Sequence, residues 1–208
     1  MSARFIAFEG GEGAGKSTQA RLLAEALGER GIDCLVTREP GGTPGAEAIR
    51  SLVLDPALPK WRIEAEALLF AAARSDHVAQ SIRPALACGQ WVICDRFVDS
   101  SRAYQGAAGG LGDEAVLALH RVGSGGLLPD LTLLLELGPE AAAARIAERD
   151  GDSADKIAGR GDSFHQRVNS AFAHFAAGEP DRFRRIDGSG APEHVHRRIM
   201  AAIEPLLQ

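Results

Sequence analysis

Cysteine is scarce in this chain, and its few cysteines do not pair by pattern. Cys34, Cys88 and Cys94 make an odd set of three with no CxxC spacing. That argues against a disulfide framework and against a zinc site. Cys34 and Cys94 lie inside apolar, strand-like runs and read as small core residues. Long hydrophobic runs are missing as well. None approaches the ~20 residues that span a bilayer, so no membrane role is expected. The first apolar stretch is interrupted at Glu9, too early for a secretory leader. Positive charge is not in excess either. With 23 Lys and Arg against 28 Asp and Glu, the net charge is −5. The whole-molecule field therefore does not draw in nucleic acid, and any phosphate site must be a local basic cluster. There is no internal repeat and no low-complexity linker. These absences leave a cytosolic enzyme or regulator.

What remains has the make-up of a globular protein. The 208 residues are 45% apolar and 25% charged, enough for one core and short for two, so residues 1–208 are expected to form a single domain. Strand-like and helix-like segments alternate. Arg4–Glu9, Ile32–Arg38, Trp91–Asp95, Leu131–Leu137 and Phe183–Asp187 read as strands. Leu131–Leu137 is almost continuously apolar, as for a strand covered on both faces. Helical periodicity covers Ser17–Arg30, Ala46–Leu54, Ile63–Cys88 (disturbed near Pro84), Asp113–Val122, Pro139–Arg149, Phe164–Ala177 and Glu193–Leu207. Alternation of this kind implies βαβ crossovers and a parallel five-stranded sheet in an α/β/α sandwich. Ligands in such sheets bind at the C-terminal strand ends. The loops after Glu9, Arg38, Asp95 and Leu137 should therefore converge on one site.

The strongest motif sits in the first of those loops. Gly10-Gly11-Glu12-Gly13-Ala14-Gly15-Lys16-Ser17 fits GxxxxGK[ST], follows a strand and opens a helix that continues with Thr18. Its glycines let backbone N–H groups curl around a phosphate, and the helix start adds unpaired N–H groups. Lys16 would bridge the outer ATP phosphates, and the Ser17 hydroxyl would ligate Mg2+. Asp95, at the tip of a buried strand, is the second candidate anchor for that metal. A GTPase switch would carry an Asn-Lys-x-Asp reader of guanine. The one asparagine here, Asn169, is followed by Ser170. A small kinase instead needs arginines for a phosphorylated acceptor, because guanidinium forks match phosphate oxygens. Arg50, Arg74 and Arg96 stand in suitable places.

At this point the residues resemble a family. Asp95-Arg96-Phe97-Val98-Asp99-Ser100-Ser101-Arg102-Ala103-Tyr104-Gln105-Gly106 is similar to a signature of bacterial thymidylate kinases, members of the P-loop nucleoside monophosphate kinases. So are Thr37-Arg38-Glu39-Pro40-Gly41-Gly42-Thr43, Leu69-Phe70-Ala71-Ala72-Ala73-Arg74 and Pro129-Asp130-Leu131-Thr132, in the same order over essentially the whole chain. The resemblance implies transfer of the ATP γ-phosphate to dTMP, giving dTDP for DNA precursor synthesis. It implies that Arg74 and Gln105 bond the thymine edges while Phe70 stacks on the ring. Arg38 and Arg96, with Arg50 approaching from its own loop and Pro40 beside it, would hold the acceptor phosphate. Glu12 would accept from the sugar 3′-hydroxyl, Tyr104 would crowd the 2′ position, and Ser101 would line the base pocket. Adenine would rest near Asp187–Pro192. A homodimer formed around Ile63–Cys88 is also implied.

The match is weaker in one segment. No base precedes Lys16 in the phosphate loop, so the charge built up in transfer must be met from a lid. Arg149–Ser163 is polar and glycine-containing and reads as that lid. The family commonly has Asp-Arg followed by an acid two residues on. Here Asp155-Lys156-Ile157-Ala158 stands instead. Lysine lacks the planar fork, so Arg149, with Arg160 as its rival, is expected to carry the lid's catalytic charge. Two other readings stay open: a deoxynucleoside kinase on the same core, and a nucleotide-binding regulator without transfer activity. The acceptor-side arginines weigh against the first, and the altered lid keeps the second in view.

Overall fold

A computed structural model describes residues 2–150 and 159–207, and the side chains of residues 146–150 are outside that description. Five strands form one sheet: β1 (Phe5–Glu9), β2 (Cys34–Arg38), β3 (Trp91–Asp95), β4 (Leu131–Glu136) and β5 (Phe183–Asp187). Their order is β2-β3-β1-β4-β5, and every pairing is parallel. The registers Phe8↔Asp95 and Arg38↔Asp95 bring the C-terminal ends of β1, β2 and β3 to one edge. The expected five-stranded parallel sheet is therefore present.

Burial follows the period of two that a strand imposes. On β1, Ile6 and Phe8 pack with Leu23 and Leu27 of α1 (Lys16–Gly28) and with Val195, Ile199 and Ile203 of α9 (Pro192–Ile203). Phe5 and Ala7 face the other layer, with Val92, Cys94, Phe97 and Ile82. β1 and β4 read as apolar because they are covered on both sides. β2 is the edge strand, and it is only partly buried, with Val36 46% exposed. That corrects the reading of Cys34 as a core residue: it is half-buried on the edge, whereas Cys94 is buried in the middle of the sheet.

The crossover from β2 to β3 holds α2 (Pro44–Leu54), α3 (Ile63–His77) and α4 (Arg83–Ala87). Thr43 caps α2 by accepting from Ala46 N at 3.2 Å, with Pro44 preset for the first turn. The disturbance expected at Pro84 lies one turn earlier, as a π-helical segment over Val78–Ile82. Proline cannot donate to the carbonyl a turn back, and its ring crowds that turn, so the preceding backbone widens. After β3 come α5 (Val98–Ser101), a second π-helical segment (Arg102–Ala108) and α6 (Asp113–Ser124). α7 (Pro139–Asp150) and α8 (Asp162–Gly178) flank the expected lid. Thus Arg149 belongs to the end of a helix, and the Lys156 segment lies outside the described residues.

Candidate active site

The loop from Gly10 to Gly15 is built from backbone geometry. Gly10, Gly13 and Gly15 have φ values of 136°, 72° and 91°, which side-chain-bearing residues rarely adopt. At Gly10 the sheet is also too close. A Cβ there would stand 2.3 Å from the carbonyl oxygen of Leu135. The loop closes on α1, where Lys16 is 7% exposed and donates from Nζ to the carbonyl oxygens of Gly10 (3.2 Å) and Gly11 (2.7 Å). Burial, with Arg96 nearby, lowers the Lys16 ammonium to about 8. Ser17 Oγ donates to Asp95 Oδ2, which brings together the two groups expected at a metal. Ala14 is buried in the core layer beneath, and Thr18 lies exposed in the first turn of α1.

Opposite this loop lies a cavity of about 320 Å3. Its phosphate-loop wall contains Glu12, Lys16 and Ser17, together with Asp95 from β3. The far wall carries Arg38, Pro40, Arg50, Phe70 and Arg74 from the β2–α3 region. Arg96, Ser101, Tyr104 and Gln105 complete it from the segment after β3. Every acceptor-side residue expected from the sequence therefore lines one chamber, shared with the phosphate loop.

The arginines are not loose in that chamber. Arg96 adopts a positive φ of 69°, at the sharp turn out of β3. Its guanidinium donates to Glu12 Oε1 (2.5 Å) and to the Gly10 carbonyl oxygen (3.1 Å), and lies 5.3 Å from the Tyr104 ring centroid. Burial works against this charge, but Tyr104, Glu12 and Asp95 outweigh it and hold Arg96 protonated. Arg74 is 3% exposed and donates to Glu39 Oε2 (2.7 Å), to Ser101 Oγ (3.0 Å) and to the Phe97 carbonyl oxygen (3.3 Å). Arg38 pairs with Glu47 at 3.1 Å, and Arg50 donates to the Pro40 carbonyl oxygen at 2.7 Å.

Several residues that shape this site were not singled out by sequence. Glu39 holds Arg74 and sits 3.1 Å from His77 Nδ1, and His77 Nε2 is 2.7 Å from Thr37 Oγ1. Glu9, fully buried, accepts from the backbone N–H groups of Phe97 (2.8 Å) and Ser100 (3.0 Å) and from Ser100 Oγ (2.6 Å). It thereby ties the end of β1 to the turn that presents Arg96. Burial, then the neighbouring Asp99 charge, raises its carboxyl to about 7. Arg102 braces the π-helical segment by donating to Asp113 (2.7 Å), Asp99 (2.9 Å) and Glu179 (2.7 Å). Glu39 and Arg102 do stand inside family motifs, Thr37–Thr43 and Asp95–Gly106, whereas Glu9 and Glu179 stand in none. Glu9 bonds Ser100 across 91 residues and Arg102 reaches Glu179 across 77, and contacts at that range leave no local trace.

On the nucleotide side, Arg145 of α7 donates to the carbonyl oxygens of Gly188 (3.1 Å) and Gly190 (3.0 Å). A Cβ on Gly15 would lie 3.7 Å from its Nη1, so this guanidinium stands beside the phosphate loop. The segment expected near adenine is thus pinned to α7. The lid candidates divide. The Arg149 side chain and all of Lys156 lie outside the described residues. Arg160 pairs with Glu66 and is stacked over the Phe164 ring at 4.7 Å from its centroid, away from the cavity lining.

Comparison with known proteins decides the family. The model of the family described as thymidylate kinase matches residues 8–199. The chain belongs to the thymidylate kinase family. It is 56% identical to a thymidylate kinase of Rhizorhabdus wittichii over the whole of both chains. It is 50% identical to one from Rhodopseudomonas palustris, covering 98% of this chain and 89% of that protein. The crystal structure of thymidylate kinase from Ehrlichia chaffeensis is similar at 31% identity with a TM-score of 0.78, covering 98% of this chain and 99% of the other. A chain of this family is a phosphotransferase enzyme.

Proposed function

We propose that the chamber works as a phosphoryl-transfer site in which ATP and dTMP yield ADP and dTDP. One observation carries this assignment: the arginine-lined acceptor cavity and the phosphate loop with Lys16 are a single space. The ATP phosphates occupy the cradle from Gly10 to Thr18. The acceptor phosphate lies toward Arg38, Arg50 and Arg96, and one of its oxygens attacks the γ-phosphorus as the bond to the bridging oxygen of ADP breaks. That oxygen is already largely ionised near neutral pH, so no strong general base is needed. Phe70 stacks on the thymine, and Arg74 and Gln105 bond its edges beside Pro40 and Ser101. Glu12 takes the 3′-hydroxyl, and Tyr104 excludes a 2′-hydroxyl. Lys16 and a lid arginine, Arg149 in preference to Arg160, meet the charge that develops.

Ser17 and Asp95 suit Mg2+. They supply two oxygen donors in contact, and among the described residues there is no cluster of three or more His, Cys, Asp or Glu for an all-protein metal cage. Magnesium characteristically takes few protein ligands and completes its shell with phosphate and water oxygens. When bound, it would neutralise phosphate charge.

The residues 1–208 act as one catalytic unit in this reading. Two copies pair through α3 and α6, where Leu68 (56% exposed) and Val122 (89% exposed) present apolar surface. The three unbridged thiols suit a reducing cytosol. No helix among the described residues is long and apolar enough to cross a membrane.

The test is ADP formation from ATP and magnesium with dTMP, dUMP, dCMP, AMP, GMP or thymidine as acceptor. Strong stimulation by dTMP, less by dUMP and none by thymidine is expected. The 5-methyl group alone supplies about 1–3 kcal/mol of discrimination. Stimulation by thymidine but not dTMP would overturn the role of the arginines. ATP binding without acceptor-dependent turnover would favour a regulator.

A further inference from the structure

Glu66 has no place in the scheme above, yet it is a 4% exposed carboxylate on α3 with two partners. The side-chain amide nitrogen of Gln105 donates to its Oε1 at 2.8 Å. The guanidinium of Arg160, just ahead of α8, pairs with its Oε2. A buried charge of this kind is costly unless paired and hydrogen-bonded. The pair also determines which way Gln105 points. An ion-paired carboxylate can only accept, so the NH2 group of the amide must face Glu66. The amide oxygen is then the atom left for the cavity, where among the described residues it accepts no hydrogen bond. A cavity that presents an acceptor there suits a pyrimidine carrying N3–H and mismatches one whose N3 is itself an acceptor.

Building on the acceptor role assigned to the cavity, we propose that Glu66 is a positioning residue for base selection. It locks the Gln105 amide with its oxygen inward, and Arg160 holds Glu66 in place. Arg160 is itself oriented by the Phe164 ring, and Phe164 lies 6.1 Å from Tyr104 between ring centroids. The base-reading wall and the start of α8 are thus joined through one carboxylate. Arg160 acts on acceptor recognition in this arrangement and not on the transferred phosphate.

The experiment measures kcat and KM for dTMP, dCMP and ATP in Glu66→Gln, Arg160→Gln, the double variant and Gln105→Ala, with melting temperatures as a check on folding. Glutamine at position 66 both donates and accepts, so the amide of Gln105 is free to turn. Glu66→Gln should raise the dTMP KM about tenfold and reduce the preference for dTMP over dCMP about tenfold, since an unmatched buried polar group is what enforces such selectivity. The kcat at saturating dTMP and the ATP KM should move less than about threefold. Arg160→Gln should raise the dTMP KM by about threefold, and the double variant should add nothing to Glu66→Gln, as expected for groups in one network. An unchanged dTMP KM and unchanged dTMP-to-dCMP preference in Glu66→Gln, with both altered in Gln105→Ala, would sink the positioning role alone. If Gln105→Ala changes neither, the acceptor assignment of the cavity falls with it. Should Glu66→Gln not fold, Arg160→Gln decides by the same two readouts, and no change in either overturns the proposal.

Discussion

The two halves of the chamber are built by different means. The phosphate loop is main-chain architecture: three glycines at positive φ, a helix start, and one lysine folded back on the loop's own carbonyl oxygens. The acceptor wall is side-chain architecture, with each arginine held by a carboxylate or carbonyl partner from another element: Arg74 by Glu39, Arg96 by Glu12, Arg38 by Glu47 and Arg50 by Pro40. A cradle made of backbone serves any nucleoside triphosphate, because phosphates are alike. A wall made of locked side chains reads one acceptor, because planar guanidinium groups placed in advance lose little freedom on binding. The donor half should therefore fail in rate and the acceptor half in selectivity.

The largest effect should come from Lys16. Lys16→Ala should lower kcat for dTMP phosphorylation by about a thousandfold, as for loss of a preorganised charge at a transferring phosphoryl group. A drop of less than tenfold in a coupled ADP assay would contradict the donor assignment. Arg74→Lys should act on the other half. It keeps a charge beside Glu39 but loses the fork, so kcat/KM for dTMP should fall about a hundredfold while the ATP KM stays within about threefold. Equal loss in both parameters would blur the division drawn here.

The lid supplies a smaller contrast. Arg149→Ala should lower kcat about thirtyfold, whereas Arg160→Ala should change kcat by no more than about threefold. The reverse pattern at saturating substrates would return the catalytic charge to Arg160 and contradict its role in acceptor recognition through Glu66.

The smallest effect concerns stability at the junction of the halves. Burial raises the Glu9 carboxyl from 4.5 to about 7. The folded state thus retains a proton that the unfolded chain releases above about pH 4.5. The associated stabilisation is fully present below that pH and is lost as pH rises through about 7. Glu9→Gln keeps the hydrogen-bonding shape without the titration. Its melting temperature relative to the parent should therefore rise by about 5–10 °C between pH 5 and pH 7.5. A pH-independent difference would show that Glu9 does not titrate in this window.

Much of this was legible in the sequence. The apolar run of β4, the glycine-rich turn after β1 and the alternation of strand-like and helix-like segments are local signals, carried by backbone preference and periodicity. The order of motifs placed Arg38, Phe70, Arg74, Arg96 and Gln105 on one side of the phosphate loop before any coordinates. Their partners were not legible. Glu9 bonds Ser100 across 91 residues, and Arg160 reaches Glu66 across 94. Pro84 signalled a disturbance but not its form over Val78–Ile82, and nothing signalled the widening over Arg102–Ala108, because a π-helical segment keeps the composition of an ordinary helix.

The sequence by itself determined the phosphate cradle, the parallel sheet and the inventory of acceptor-side arginines. The first two follow from local backbone geometry and from the alternation of apolar segments, which a linear string records, and the arginines from the resemblance of their motifs to the family. Only the tertiary structure decided where Cys34 lies, which carboxylate holds each arginine, which way the Gln105 amide turns and where Arg160 is seated. Those depend on groups brought together from distant positions, where the cost of burying a charge selects the partner.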